Sequence, residues 1–382
     1  MNEWKTVRLG DYITEYSVKN KNCEDIPVYS VTNTQGFCTE YFSKDVSSKD
    51  KSNYKIVPRG YFAYNPSRIN VGSVDWQRYE DRVIVSPLYN VFGVSNELDN
   101  QYLYYFIKSD FGNHLIKSKA EGSVRDNLKL SMLSEFPIPM PPLAEQKHIA
   151  AILDKTQKII AEHKQMLQKY DTLIKSRFIE MFGDPTKNTK KWEIKKLGDI
   201  IRVLGGYAFS SKDFKDSGIP VLRIGNINSG VFRPSNMVFW ENDETIEKYA
   251  IYPGDLVMSL TGTVGKDDYG NVCILGNDYN KYYLNQRNAK LEIVSDLDRF
   301  YLSYLLKVPE IKSRLTNISR GIRQANIANK DIESLKIPVP PITLQNDFAT
   351  FVQQIDKSKS AVQKSLEKTE TLYKSLMQQY FG

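Results

Sequence analysis

No run of eighteen apolar residues occurs in the sequence, and its first stretch, MNEWKTVRLGDYI, lacks the apolar segment of a secretion signal. A soluble, cytoplasmic protein is expected. Cysteine is scarce: Cys23, Cys38 and Cys273 are scattered with no Cys-x-x-Cys, which predicts reduced thiols and argues against a disulfide frame or a cysteine zinc site. Histidine is equally scarce, at His114, His148 and His163, and no His-Glu-x-x-His occurs, so no metal centre is expected. No two glycines lie two apart, which removes the Gly-x-Gly turn that lets backbone approach a nucleotide cofactor. Lys-Ser or Lys-Thr at P-loop spacing from a glycine pair is missing too, so ATP hydrolysis is not expected. Glu193-x-Lys195 is an isolated half of a nuclease pattern. We expect no cofactor and no catalysis by this chain.

What is present begins with length and charge. The chain has 382 residues, enough for two or three units with real cores. Its 52 Lys and Arg against 45 Asp and Glu leave a net charge of +7, which permits nucleic-acid binding without requiring it.

An internal repeat sets the organisation. Residues 4 to 13, WKTVRLGDYI, return at 192 to 201 as WEIKKLGDII, and IPMPP at 138 to 142 returns at 337 to 341 as IPVPP. Gln146 and Gln345 follow at the same spacing, and each copy runs without proline to a closing Phe-Gly, at Phe182-Gly183 and Phe381-Gly382. Between these landmarks the copies diverge, and the second is eleven residues longer. The chain is a duplicated module. Because Trp192 follows Gly183 by only nine residues, the repeat predicts that Trp4 and Gly382 also lie close together.

The proline-free segments read as long helices. Leu153, Ile160, Leu167, Ile174 and Met181 recur every seventh residue, flanked by Ile152, Ile159, Met166 and Leu173. Phe348, Ile355, Val362 and Leu376 keep the same spacing in the second copy, broken by Thr369. This is a coiled-coil seam in both copies, about forty residues or roughly 60 Å long, which the two helices bury against each other when they run antiparallel. Two separate amphipathic helices, each packed on its own unit, is the alternative. The variable regions carry short runs of β-formers, at 26–31, 61–64, 82–85, 220–224 and 255–259, and one helix each, at 101–117 and 298–311. A curved, mostly antiparallel sheet per unit is expected.

One stretch, Asn65-Pro66-Ser67-Arg68, is similar to the Asn-Pro-Pro-aromatic loop of amino-methyltransferases. Without a cofactor turn or a doubly wound sheet it has no catalytic setting. It remains a polar loop after a strand, and Ser259 to Lys266 is its counterpart in the second copy. Arg, Asn, Thr and Lys are residue types that hydrogen-bond base edges or phosphates.

The segments Trp4-Lys5-x-Val7-Arg8-Leu9-Gly10-Asp11, Tyr64 to Gly72 and Phe136 to Gln146, with their partners Trp192 to Asp199, Ser217 to Ile227 and Ile337 to Gln345, together resemble the specificity subunits of type I restriction-modification systems. The likeness covers essentially the whole chain in the family's order. One departure is Leu344-Gln345, where the family usually shows Glu-Gln. The resemblance implies an α+β chain: two α/β target recognition domains (1–142 and 184–341) joined by two long antiparallel coiled-coil helices (143–183 and 342–382), with a pseudo-two-fold repeat. It also implies a non-catalytic subunit that reads a bipartite, asymmetric site on double-stranded DNA, sets the spacer between the half-sites with its paired helices, docks two methyltransferase subunits on them, and joins motor-nuclease subunits through these.

Candidate DNA contacts are Asn65, Ser67, Arg68 and Asn70 in the first loop, and Thr261, Thr263 and Lys266 in its counterpart. Arg223 and Asn226 follow from the segment Ser217 to Ile227. A second loop before each Ile-Pro-x-Pro-Pro adds Arg125 and Asn127, then Arg320, Arg323 and Gln324. For partner binding the candidates are the seam residues Leu153, Ile160, Leu167, Ile174, Phe348, Ile355, Val362 and Leu376. A two-headed coiled-coil scaffold that binds proteins rather than DNA shares the repeat and the seam, and is the rival reading.

Overall fold

The computed structural model describes residues 4–39, 50–120, 127–317 and 324–382. They form two compact units, Met1–Lys164 with Gln363–Gly382, and Gln165–Val362. Each is built round a four-stranded antiparallel sheet of the same order. In the first unit this is Ile13–Glu15, Asn90–Val94, Phe62–Tyr64 and Val74–Trp76; in the second it is Ile201–Gly205, Asn288–Ile293, Leu256–Ser259 and Val272–Ile274. The expected single curved sheet is corrected, because smaller sheets accompany it. The first unit adds a Ser30–Thr32/Gly36–Cys38 hairpin and a Lys55–Pro58/Arg82–Val85 ladder. The second adds a sheet in which Ile219–Leu222 runs parallel to Tyr282–Leu284. Glycine and proline punctuate the variable regions, and their strands run to six residues or fewer among the described residues.

Where one helix per unit is expected, there are two. Asn100–Lys108 is followed by Asp110–Ala120, and Arg299–Leu306 by Pro309–Thr316. Asp99 and Asp298 cap the first helix of each pair by accepting from backbone amides of the first turn. The break after Lys108 is held by Ser109, whose Oγ donates to Phe106 O and accepts from the Gly112 amide. Gly112 fits here because a Cβ would come within 2.2 Å of the Phe106 carbonyl. Pro309, lacking an amide proton, starts the second helix in the other unit.

The repeated motifs pair with one another inside each unit. Thr6–Arg8 forms an antiparallel ladder with Pro137–Pro139, and Glu193–Lys196 does the same with Lys336–Val339, so both ends of each variable region are fastened together. The following Leu9 and Leu197 are fully buried. Gly10 is required there, since a Cβ would meet Ser134 at 2.9 Å. Gln146 and Gln345 are buried clamps. Gln146 accepts from the Asp99 amide at 2.8 Å and donates to Glu97 O and Pro141 O, while Gln345 accepts from Asp298 at 2.8 Å and donates to Pro340 O. The glutamine alone ties each long helix to the cap of a helix in its unit, so Leu344 in place of glutamate leaves the clamp intact.

The long helices are Leu143–Phe182 and Ile342–Phe381, forty residues each. Each begins in one unit and ends in the other. Within the first unit, Ile149 and Leu153 share a core with Met377 and Phe381, and Gln157 donates to the Tyr373 hydroxyl. Within the second, Ile174, Phe178 and Phe182 share a core with Phe348 and Val352, and Lys359 pairs with Asp171 at 2.6 Å. The pairing is antiparallel in both. It also occupies the partner-binding candidates. Leu153, Ile174 and Phe348 are fully buried, and Ile160, Leu167, Ile355, Val362 and Leu376 are half-buried in the chain itself. A seam that closes a helix pair leaves little of itself for a third chain. Trp4 stacks on Tyr380 at 6.4 Å and shares a cleft with Gly382, as the repeat predicts.

Candidate nucleic-acid interface

In the first unit the loop after Phe62–Tyr64 is folded by its own backbone. Asn65 Oδ1 accepts from the Ser67 amide at 3.1 Å, and Gly72, at φ 91°, closes the short turn Ile69–Val71 in a left-handed conformation. Ile69 is buried beneath, while Ser67, Arg68 and Val71 are exposed. The second candidate loop meets the first: Ser67 Oγ donates to Asn127 Oδ1 at 2.5 Å, and Leu128 N donates to Pro66 O. Below them the Tyr64 hydroxyl donates to Leu128 O at 3.0 Å.

Two clefts open beside this loop. One, of about 560 Å³, is lined by Asn33, Asn70, Lys108, Asn113, His114 and Lys117 among others; a smaller one of about 170 Å³ includes Asn33, Asn65, Arg68 and Tyr89. Amides and cations dominate the larger one, which also holds Asp110. Asn33, Lys108, Asn113, His114 and Lys117 are absent from the sequence-based candidates. The signal for Asn33 is the match of Ile26-Pro27-Val28 to Ile219-Pro220-Val221, which sets Asn33 opposite Asn226. Under the clefts Asp75 is buried and ion-paired with Arg78, and accepts from the Phe37 amide at 3.2 Å. Burial raises its carboxyl above the ordinary range, outweighing the opposing pull of Arg78. Burial likewise lowers the Lys108 ammonium.

The second unit brings its two candidate loops together more tightly. Thr261–Thr263 pairs antiparallel with Gln324–Asn326, Thr263 lying opposite Gln324, so the loops form one ribbon. Asp268 accepts from the Thr263 amide at 2.8 Å, and this bond holds its carboxyl below the usual range. Lys266 stands exposed at the turn.

Arg223 and Asn226 lie apart from this ribbon, on a cleft of about 590 Å³ with Ser235, Asn236, Gln286 and Arg287. Asn226 is turned inward. It is buried, accepts from Arg223 N at 3.0 Å and donates to Arg233 O and Ser235 O, so its amide is used up in holding the loop. Arg223 is half-buried and donates to Asn236 O at 2.7 Å. Arg125, Arg320 and Arg323 lie outside the described residues. Among the described residues no cluster of His, Cys, Asp and Glu is placed to hold a metal ion, and no helix is long and apolar enough to cross a membrane.

Comparison with known proteins places this architecture. The family model for the type I restriction modification DNA specificity domain matches residues 1–169 and 189–370. The MjaVIII specificity subunit of Methanocaldococcus jannaschii is 25% identical over 98% of this chain and 91% of its own length. The EcoKI specificity subunit of Escherichia coli is 24% identical over 73% of this chain and 64% of its own. Among solved structures, the S subunit from M. genitalium covers 100% of this chain and 97% of its own at a TM-score of 0.63 and 14% identity. A chain from a structure of type I restriction-modification assembly covers 100% of this chain and 98% of its own at 0.57 and 18%. The chain thus belongs to the type I restriction-modification DNA specificity family, as a specificity subunit.

Proposed function

We propose that each recognition domain, 1–142 and 184–341, reads one half of a bipartite, asymmetric site on double-stranded DNA. The observation that carries this is the meeting of two polar loops in each unit: Ser67 with Asn127, and Thr261–Thr263 with Gln324–Asn326. Side chains of these types on rigid turns match base edges and phosphates. The loops differ between the units, and unlike readers require unlike half-sites. The paired long helices set the spacer between the half-sites. Catalysis belongs to partners: two methyltransferase subunits dock on the long helices, and motor-nuclease subunits join through them.

The docking residues are not the seam. Exposed apolar side chains on the helices are Met166, Leu173, Ile179 and Leu372, and Leu173 and Leu372 occupy matching positions of the two copies. A matched pair of exposed leucines fits two copies of one partner. The test mixes purified chain with a methyltransferase subunit and maps methylated sites. We expect methylation at a two-part sequence with the partner and none without it. Leu173→Asp with Leu372→Asp should abolish co-purification while the chain stays folded. Methyl transfer by the purified chain alone, or methylation with no sequence preference, overturns the reading.

A further inference from the structure

We propose that Asn33 is a base-reading residue of the first unit, fixed at the junction of two clefts by Asp75 and Lys108, and that it reads an A·T pair. This rests on the DNA reading above and adds a site to it.

Asn33 lines both clefts, and its side chain is exposed with no hydrogen-bond partner among the described residues. Its backbone, in contrast, is held from several directions. The hairpin sets Thr32 opposite Gly36, and the Gln35 amide donates to Thr32 Oγ1 at 3.0 Å. Asp75 accepts from Phe37 just past the turn, and Gly36, at φ 63°, lets the chain lie so close that a Cβ would come within 2.0 Å of Asp75 Oδ2. Lys108 reaches Asn33 O from the helix at 3.5 Å. A free amide on a fixed backbone is pre-organised to bind.

The chemistry selects the ligand. An asparagine amide sets an NH2 donor beside a carbonyl acceptor, so it can donate to adenine N7 while accepting from adenine N6 in the major groove. Val71 lines both clefts as well and is 56% exposed, an apolar contact suited to a thymine methyl. Lys117 at the margin suits a flanking phosphate. The second unit lacks this device. Asn226, at the matching position, has its amide used up internally, and Cys273 stands in the strand position that Asp75 holds in the first unit. The Asn33 contact is therefore confined to one half-site.

The experiment maps methylated sites of the complex with its methyltransferase subunit for the unaltered chain, Asn33→Ala and Asp75→Asn. Asn33→Ala should lower discrimination about tenfold or more at one A·T position of one half-site, with the other half-site unchanged. Asp75→Asn, a positioning change, should blur the same position more weakly. If Asp75→Asn fails to fold, the exposed Asn33 substitution still decides. Unchanged preference in Asn33→Ala, or an equal loss on every sequence, overturns the proposal. Absence of sequence-specific methylation with the unaltered chain removes the DNA reading itself, and the proposal with it.

Discussion

Truncating Gln146 to alanine leaves the Asp99 amide and the Glu97 and Pro141 carbonyls without their partner at a fully buried point. Gln146→Ala is expected to cost about 2–4 kcal/mol, read as a lower urea midpoint at unchanged slope; an unchanged midpoint contradicts the clamp. Arg68 is the opposite case. It is exposed on its loop, so Arg68→Ala should keep full stability and relax the base choice in one half-site, and a uniform fall in affinity would make it a phosphate contact. Burial also separates the thiols. It pushes the Cys273 thiol up to about 12, whereas Cys23 is exposed. Brief alkylation of native protein near pH 8, followed by mass spectrometry, should label Cys23 and spare Cys273 until denaturant is added. Labelling of Cys273 in folded protein would refute its packing.

At the scale of elements, adjacent residues on one helix have opposite fates. Ile174 is fully buried and Leu173 is 46% exposed. Ile174→Ala should therefore destabilise by about 2–5 kcal/mol, and Leu173→Ala by no more than about 0.5. Equal losses in a denaturation series would place the seam elsewhere. The seven-residue period of apolar residues was legible because helix geometry puts every seventh side chain on one face. The break between Asn100–Lys108 and Asp110–Ala120 was not, because Ser109 closes one helix and starts the next through bonds that depend on how the two pack. Asn226 escaped for a related reason. An asparagine's type does not say whether its amide faces solvent, as at Asn33, or the Arg233 and Ser235 carbonyls.

For the molecule as a whole, the helices act in our proposal as a ruler between half-sites. One matched heptad added to both, after Leu167 and at the facing position of the second helix, keeps the seam and lengthens each helix by about 10 Å. At about 3.4 Å per base pair this is roughly three base pairs, so methylation mapping should show a longer spacer with unchanged half-sites, or no binding where the duplex rotation cannot be followed. An unchanged spacer counts against the ruler, and altered half-site bases would mean that the helices read DNA.

The sequence by itself determined the duplication, the two forty-residue helices, the polar loops and the family, since repeats, heptads and motifs are written in residue order. Only the tertiary structure decided that Ser67 meets Asn127, that Thr263 lies opposite Gln324, and that Asp75 and Lys108 hold the turn carrying Asn33. It also decided that the seam is closed within the chain. These are contacts between residues far apart in the chain, and no local pattern encodes which distant group a polar side chain will meet.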